Sequence, residues 1–530
     1  MKNVQHSGHR VENDVYYSPE NINVIGMITK DRVEGVGRGL PSYIENTKIF
    51  NRKVDFIVVD DSKKESTRNE YLQVLQDIQQ KFKANIFYVG KKEKAEFSKS
   101  LSKRGLPPDV VNFSLLDAEE YGRTAGANRN ALLLASLGSM IIAVDDDTIC
   151  NVASHPKLQK KYKNLNLVTE RESLGINLCT DREMPFDLET WNYPDRDTAF
   201  RAVTFHPDQD FLGLHEQILG KKIEDIISPN FEQTVDINGL RKNKKYNNGK
   251  ILATFNGLVG DCGRGTNSFL FLKENSLRRL TQTEKHYTMA LNSREVAQMV
   301  TTKTVTNNPT YSMGGFLGLD NRKLLPPFMP VLLAQDHLFG HTVWKCFKNG
   351  YFGHLPFMGV HSPLEMRQVT KEKLKPKIFT NLILLIIILQ FKSDLEDSDE
   401  IQNLRLVGNY LKSIGSLKLS AFKELIKMSI CEGISSDIGS LEKRISNNSQ
   451  VPNFWKKDIK KLINLLRKTL PNFKGPYDLI NQGYTTNDTY KITQCLIFKF
   501  GELLDWWPEI VEATRDMQWA KDGLTLTNLK

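Results

Sequence analysis

The residues of this chain best suited to chemistry are three consecutive carboxylates, Asp145, Asp146 and Asp147, which end a short apolar run in Met140 to Cys150 (MIIAVDDDTIC). Close carboxylates repel by about 4 kcal/mol per pair at roughly 4 Å and an effective dielectric near 20, so a cationic group belongs beside them. In an extended segment residues i and i+2 point the same way; Asp145 and Asp147 then converge on one point while Asp146 turns away. Two converging oxygen donors favour a hard divalent ion such as Mg²⁺ or Mn²⁺. For an isolated Asp-x-Asp an acidic loop or a helix cap is the plainer account, so the neighbourhood has to decide.

Other candidates stand at comparable positions. Asp60 and Asp61 follow the apolar run Val54 to Val59 (VDFIVV), and Thr29 follows Ile22 to Ile28 (INVIGMI). Carboxylates at the carboxyl ends of strands lie where open α/β sheets bind ligands. Further on, Gly314 and Gly315 leave backbone open to close approach by a ligand, Asp336 introduces a helix that it could simply cap, and His361 follows a strand. His337 and His341 have helical i, i+4 spacing, but the glutamate of H-E-x-x-H is missing, which argues against zinc there.

Buried elements must position these groups. Met140 to Val144 reads as a strand hidden on both faces, as do Ile22 to Ile28 and Val54 to Val59. Between the first two, Gly35, Gly37 and Gly39 match neither the phosphate-loop nor the dinucleotide pattern and read as a flexible turn, with a helix from Leu40 onward. A helix through Tyr71 to Phe82 and a strand over Ala84 to Val89 follow, then a charged segment that reads as loop. Ala131, Leu134, Ala135 and Leu137 recur at near-helical spacing, and Gly138 stops that helix before the acidic strand. Repeated strand, loop, helix and strand is the pattern of parallel βαβ units. The region from about 151 to 310 reads as a long insertion with loops such as ETWNYPDRDT and RKNKKYNNGK, and a strand at Ile251 to Phe255. A helix over His337 to Phe347 and a strand around Tyr351 to Met358 deliver His361 into a loop.

Past Arg367 helices dominate: Ile378 to Phe391, Glu400 to Ser429, Phe454 to Leu470 and Lys491 to Trp519. In the third, Trp455, Ile459, Leu462, Leu466 and Leu470 form an apolar stripe opposite Lys456, Lys457, Lys460 and Lys461. Such a basic amphipathic face is a candidate for contact with a membrane surface or an RNA and more often is simply solvated. The organisation expected is a tail over residues 1–20, an α/β domain over 21–368, and a helical C-terminal domain over 369–530.

The chain has 530 residues, 40% of them hydrophobic and 25% charged, which suits a globular protein of about three domains' length. Its formal net charge of +10 favours acidic partners such as phosphorylated small molecules, anionic lipid or nucleic acid. Six scattered cysteines without a C-x-x-C pair argue against a metal cluster or disulfide framework and suit a reducing, cytoplasmic setting. No secretory h-region opens the chain, and Leu382 to Leu389 (LILLIIIL) is shorter than the roughly 18 to 20 residues of a spanning helix, so it reads as a buried core helix.

Taken in chain order, TKDR after the first strand, VVDDS after the second, NRNALLLAS leading into VDDD, and QDH followed by a later histidine resemble the nucleotide-sugar glycosyltransferases of the GT-A fold, family 2 type. The resemblance covers roughly residues 20–368. It implies a Rossmann-like, mixed, mostly parallel sheet and a metal-dependent transfer of sugar from a nucleoside-diphosphate sugar, most often a UDP-sugar, to an acceptor. It further implies Thr29, Asp60, Asp61 and Arg129 around the nucleotide, with Asp146, Gly314 and Gly315 also in the donor site. Asp145 would contact the ribose or a metal-bound water, with Asp147 and His361 completing the Mn²⁺ or Mg²⁺ site. Asp336 matches the general base of inverting members, although Gln335 stands where that family usually has glutamate. The partners implied are the nucleotide-sugar and a glycan, lipid, peptide or protein acceptor, not nucleic acid. Two alternatives compete: a nucleotidyltransferase that builds a nucleotide-sugar, whose Gly-rich basic signature GMITKDRVEGVGRG does not clearly supply, and a non-catalytic membrane or nucleic-acid binding protein.

Overall fold

A computed structural model describes residues 20–158, 165–168, 188–226, 249–263, 265–309, 312–367, 369, 374–392, 399–447, 451–519 and 527–528. Its centre is a run of four parallel strands, β1 (Ile22–Thr29), β2 (Asp55–Asp60), β3 (Asn85–Val89) and β4 (Met140–Asp145), in the spatial order β3-β2-β1-β4. β1 is buried along its whole length, which is why its sequence shows no polar alternation. The sheet then turns mixed: Phe316–Asp320 runs antiparallel to β4, Lys250–Asp261 antiparallel to that, and Gly350–His361 parallel to Lys250–Asp261. The whole is an α/β protein with helices about a mixed central sheet and a helical C-terminal region.

Several helices lie where the sequence suggested loops. α1 (Val33–Ile49) begins seven residues earlier than expected and contains all three glycines of the supposed turn. A Cβ on Gly35 would lie 2.8 Å from the Asp146 carbonyl oxygen, and one on Gly39 would lie 2.7 Å from that of Thr148. These glycines are there to let α1 lie against the acidic turn. After α2 (Glu65–Phe82) and β3, the charged segment read as loop forms α3 (Lys91–Lys103) and α4 (Pro108–Leu115). Its apolar content is thin because α3 buries Glu93 and Lys94, both ion-paired, along with Phe97 and Leu101. α5 (Ala125–Ala135) then leads through Gly138, at φ +87°, into β4.

The described part of the region read as a loop-rich insertion is mostly regular. ETWN belongs to the strand Leu188–Asn192, the following turn leads into the helix Arg196–Arg201, and Lys250–Asp261 is a central strand of the sheet, longer than the expected Ile251 to Phe255. RKNKKYNNGK lies almost wholly outside the described residues. The short strand β5 (Thr148–Ser154), unread in the sequence, pairs antiparallel with Gly350–His361. His361 is thus the last residue of a strand and not a loop residue.

The helix Thr380–Gln390 is buried on every side, as an all-apolar helix must be. The expected helix over Glu400 to Ser429 divides into Glu400–Gly415 and Leu419–Asn447. In Asn453–Thr469 the stripe Trp455, Ile459, Leu462 and Leu466 is buried, while Lys457, Lys460 and Lys461 are exposed. The last helix, Thr486–Trp519, reaches back to the sheet half, where the Trp507 indole donates to the Leu325 carbonyl at 2.7 Å. One continuous apolar core includes residues of both halves, so the C-terminal helices are fastened to the α/β part. Among the described residues no helix is long and apolar enough to cross a membrane.

Candidate functional site

The carboxyl ends of β1 and β4 open into a cleft of about 970 Å³ whose walls include Thr29, Arg129, Asp145, Asp146, Asp147, Gly314, Gly315, Asp336 and His361. The acidic motif divides its work. Asp145, the last residue of β4, accepts from the Arg129 guanidinium at 2.8 Å; burial raises its pKa and Arg129 opposes the rise. Asp146 turns back toward β1 and accepts from the Thr29 hydroxyl at 2.7 Å and from Arg32 at 2.9 Å. Its carboxyl is pushed up to about 6 by burial, against the pull of Arg32.

Asp147 lies 3.1 Å from His361 Nε2, and its other oxygen accepts from Arg367 at 2.6 Å. Burial works against the Asp147 charge, but His361 and Arg367 hold its pKa well below the usual carboxylate range. His361 shifts the other way: burial favours the neutral ring, and Asp147 outweighs it and raises the pKa. The register explains their meeting, because His361 pairs with Thr148, the residue after Asp147. The Ser362 N–H also donates to the Asp147 carbonyl at 2.8 Å, and Arg196 holds the Ser362 hydroxyl at 3.0 Å and the Pro363 carbonyl at 2.7 Å.

His361 bonds through Nδ1 to the Asp261 carbonyl, which leaves Nε2 facing Asp147. Fixing one imidazole nitrogen on a backbone carbonyl is the usual way a metal-ligating histidine is oriented. Among the described residues no three His, Cys, Asp or Glu side chains form a complete metal cage. Asp147 and His361 could supply two ligands to a divalent ion whose remaining ligands came from water or a bound molecule's oxygens, with Asp145 on the same cleft wall; in the structure the two bond to each other, and Asp147 also to Arg367.

Asp336 does not cap its helix. The helix Gln335–Cys346 starts after Ala334 without a side-chain cap, and Asp336 instead accepts from the Gly314 N–H at 3.0 Å, with its second oxygen on the N–H of His337 at 2.9 Å. A Cβ at Gly314 would lie 2.1 Å from an Arg129 nitrogen, so a side chain there would have to push the Arg129 guanidinium aside. The loop before Asp336 is held in a costly shape. Leu332 and Ala334 have φ of +69° and +65°, a region where a side chain costs about 1–2 kcal/mol per residue. Asn381, from the C-terminal helix Thr380–Gln390, donates to the carbonyls of Val331 at 3.0 Å and Leu333 at 2.7 Å, and the Leu332 N–H donates to the Gly122 carbonyl at 3.1 Å.

Asp60 and Asp61 stand behind the cleft wall, not on it. Asp60 accepts from the Ser62 hydroxyl at 2.6 Å and the Tyr88 hydroxyl at 2.8 Å, and burial raises its pKa. Asp61 is fully buried on the Lys94 ammonium at 2.7 Å; burial opposes its charge, and Lys94 prevails and lowers the pKa. Lys94 also donates to Asn128, whose amide reaches the Thr29 carbonyl at 3.0 Å and the Val59 carbonyl at 3.2 Å. This buried set ties the ends of β1 and β2 together. Sequence reading missed Lys94, Asn128, Arg32, Arg367 and Asn381. For Asn381 a polar amide at the head of an apolar run was a usable signal.

Against family models, curated proteins and solved structures, the chain has no match.

Proposed function

We propose that this chain is a metal-dependent glycosyltransferase of the GT-A type that moves a sugar from a UDP-sugar to an acceptor hydroxyl with inversion. The observation that carries this reading is the gathering of Asp145, Asp147 and His361 on the wall of one cleft that Asp336 also lines. Sugar transfer from a nucleoside diphosphate needs charge stabilised at the leaving group and a proton taken from the nucleophile, and the carboxylates and histidine of this one cleft are groups suited to both.

In this reading Asp147 and His361 hold Mn²⁺ or Mg²⁺, with Asp145 alongside, and the bound ion supplies Lewis-acid stabilisation of the departing diphosphate. Arg129 positions Asp145, and Thr29 with Arg32 positions Asp146, so the acidic turn presents a fixed edge to the nucleotide. Asp60 and Asp61 act from behind, by shaping the ends of β1 and β2 through Ser62, Tyr88, Lys94 and Asn128. The Gly314 and Gly315 backbone lies between Arg129 and Asp336, open to the sugar. Asp336 takes the acceptor proton as the new bond forms opposite the leaving group. Gln335, where relatives would have glutamate, turns its oxygen to the Asp336 N–H and so supports the base instead of duplicating it.

Asp336→Asn separates binding from chemistry. UDP release from UDP-sugars with Mn²⁺ should fall by about a thousandfold, the scale of a lost general base, while UDP affinity stays within twofold of wild type. Equal loss of both would remove Asp336 from the base role.

A further inference from the structure

Within the glycosyltransferase reading, which makes Asp147 and His361 ligands of a divalent ion, we propose that Arg294 is a positioning residue for His361. It acts through the peptide unit that joins Asp261 to Cys262. A backbone carbonyl can only accept, so the His361 Nδ1 that meets the Asp261 carbonyl carries a hydrogen. Nε2 is the nitrogen left to face Asp147, 3.1 Å away. The direction of the Asp261 carbonyl therefore decides where Nε2 points.

Arg294 holds that peptide twice. It precedes the strand Glu295–Val300, which pairs antiparallel with Lys250–Asp261 and sets Glu295 opposite Asp261. The Cys262 N–H donates to the Arg294 carbonyl at 2.8 Å. This N–H and the Asp261 carbonyl belong to one planar trans peptide and point in opposite directions, so fixing the first on Arg294 aims the second at His361. The Arg294 side chain then grips the Asp261 carboxylate, Nε on one oxygen at 3.0 Å and Nη2 on the other at 2.8 Å. A lysine ammonium does not reproduce this paired geometry. The Gly263 N–H donates to the same carboxylate at 2.7 Å, which closes the turn around the peptide. Strand pairing does not require the ion pair, since the ladder from Glu295 to Gln298 runs beside it. The pair stands at the strand end, where Arg294, Cys262 and Gly263 line the cleft with Asp147 and His361. The next residue, Glu295, lies 3.6 Å from Arg196, which holds Ser362 and Pro363. Arg294 thus serves the ring of His361, and Arg196 the backbone that follows it.

The test pairs a metal-free readout with a metal readout on wild type, Arg294→Ala and Arg294→Lys. Without metal, NMR of the protein carrying ¹⁵N-labelled histidine reports the hydrogen-bonded Nδ1–H of His361, assigned by its loss in His361→Gln. Electron paramagnetic resonance of free Mn²⁺ then gives the affinity for the ion in the presence of UDP. Arg294→Ala should shift or lose the His361 signal while those of the other histidines stay in place. It should also weaken Mn²⁺ binding by about ten- to a hundredfold, the range for residues that orient a metal ligand. Arg294→Lys, which keeps the charge but not the paired contact, should fall between. A wild-type His361 signal in Arg294→Ala overturns the proposal whatever the Mn²⁺ affinity, as does the absence of that signal from wild type. If Arg294→Ala does not fold, Arg294→Lys decides: a shifted His361 signal supports the proposal and an unshifted one overturns it. If wild type fails to bind Mn²⁺, the metal-dependent reading fails by itself, and the His361 signal still decides the role of Arg294.

Discussion

Asn381→Ala is the sharpest perturbation of the idea that the C-terminal helices serve the site. The amide makes two hydrogen bonds to the loop before Asp336, at 3.0 and 2.7 Å, and alanine leaves both carbonyls without them in a largely buried place. A lost hydrogen bond of this kind costs about 1–3 kcal/mol when its partner stays buried, so the pair is worth on the order of 2–6 kcal/mol. The left-handed residues that follow those two carbonyls, Leu332 and Ala334, hold roughly 2–4 kcal/mol of backbone strain by the same scale of about 1–2 per residue. The terms are of equal size, so without Asn381 the loop relaxes and Asp336 leaves its place on the Gly314 N–H. The expected outcome is a kcat for UDP release lowered by about a hundredfold or more, corresponding to about 3 kcal/mol, with UDP affinity nearly unchanged. Asn381→Asp, which loses the donors and keeps the shape, should be no better than alanine, and Asn381→Gln should recover part. Steady-state kinetics and a thermal melt on the same samples check this. A lower melting temperature with wild-type kcat would refute the positioning argument and leave Asn381 a structural residue.

Two further outcomes follow from packing and titration. Gly39→Ala places a methyl 2.7 Å from the Thr148 carbonyl, so α1 must move off the acidic turn; a stability loss of about 1–3 kcal/mol, typical of overpacking, and weaker Mn²⁺-dependent UDP binding should appear together in a denaturant melt and a titration. Burial lowers the pKa of His215 and His354 to about 3 and that of His341 to about 4. All three lie below the ordinary imidazole value, so the stability they contribute is full above pH 6.5 and is lost as pH falls from there through about 4 for His341 and about 3 for His215 and His354. Each unit below 6.5 costs about 1.4 kcal/mol per histidine. Melting temperature against pH should therefore drop below pH 6.5, before ordinary carboxylates titrate, and a flat profile down to pH 4.5 would contradict the assignment.

The parts of the fold legible in the sequence were those where burial is uniform. β1, β2 and β4 are mostly apolar because nearly all their residues are buried, and Thr380–Gln390 is readable for the same reason. Reading failed where a residue type serves tertiary contact. The glycines of α1 mimic a turn, yet they exist for the close approach of the acidic loop. α3 looked like a loop because two of its buried residues are charged, and their partners, Arg68 and Asp61, lie 25 and 33 residues away. The acidic motif and His361 were visible, but not the β5 register that joins them, since TICNVAS has little apolar pattern. Asp60 looked exposed to a ligand from its strand-end position, but it is held inward by Ser62 and by the Tyr88 hydroxyl from β3.

The central claim is that Asp147 and His361 form half of a metal site whose other half is a nucleotide diphosphate. It is tested most directly by the thermal stability of wild type and Asp147→Ala in UDP, ADP and GDP, each with and without Mn²⁺. A ligand at a hundredfold excess over its Kd adds about 2.7 kcal/mol to the folded state. Wild type should be stabilised by UDP only when Mn²⁺ is present, and Asp147→Ala should show no such gain. Stabilisation by UDP that ignores both the ion and Asp147, or none from any nucleotide, would contradict the account.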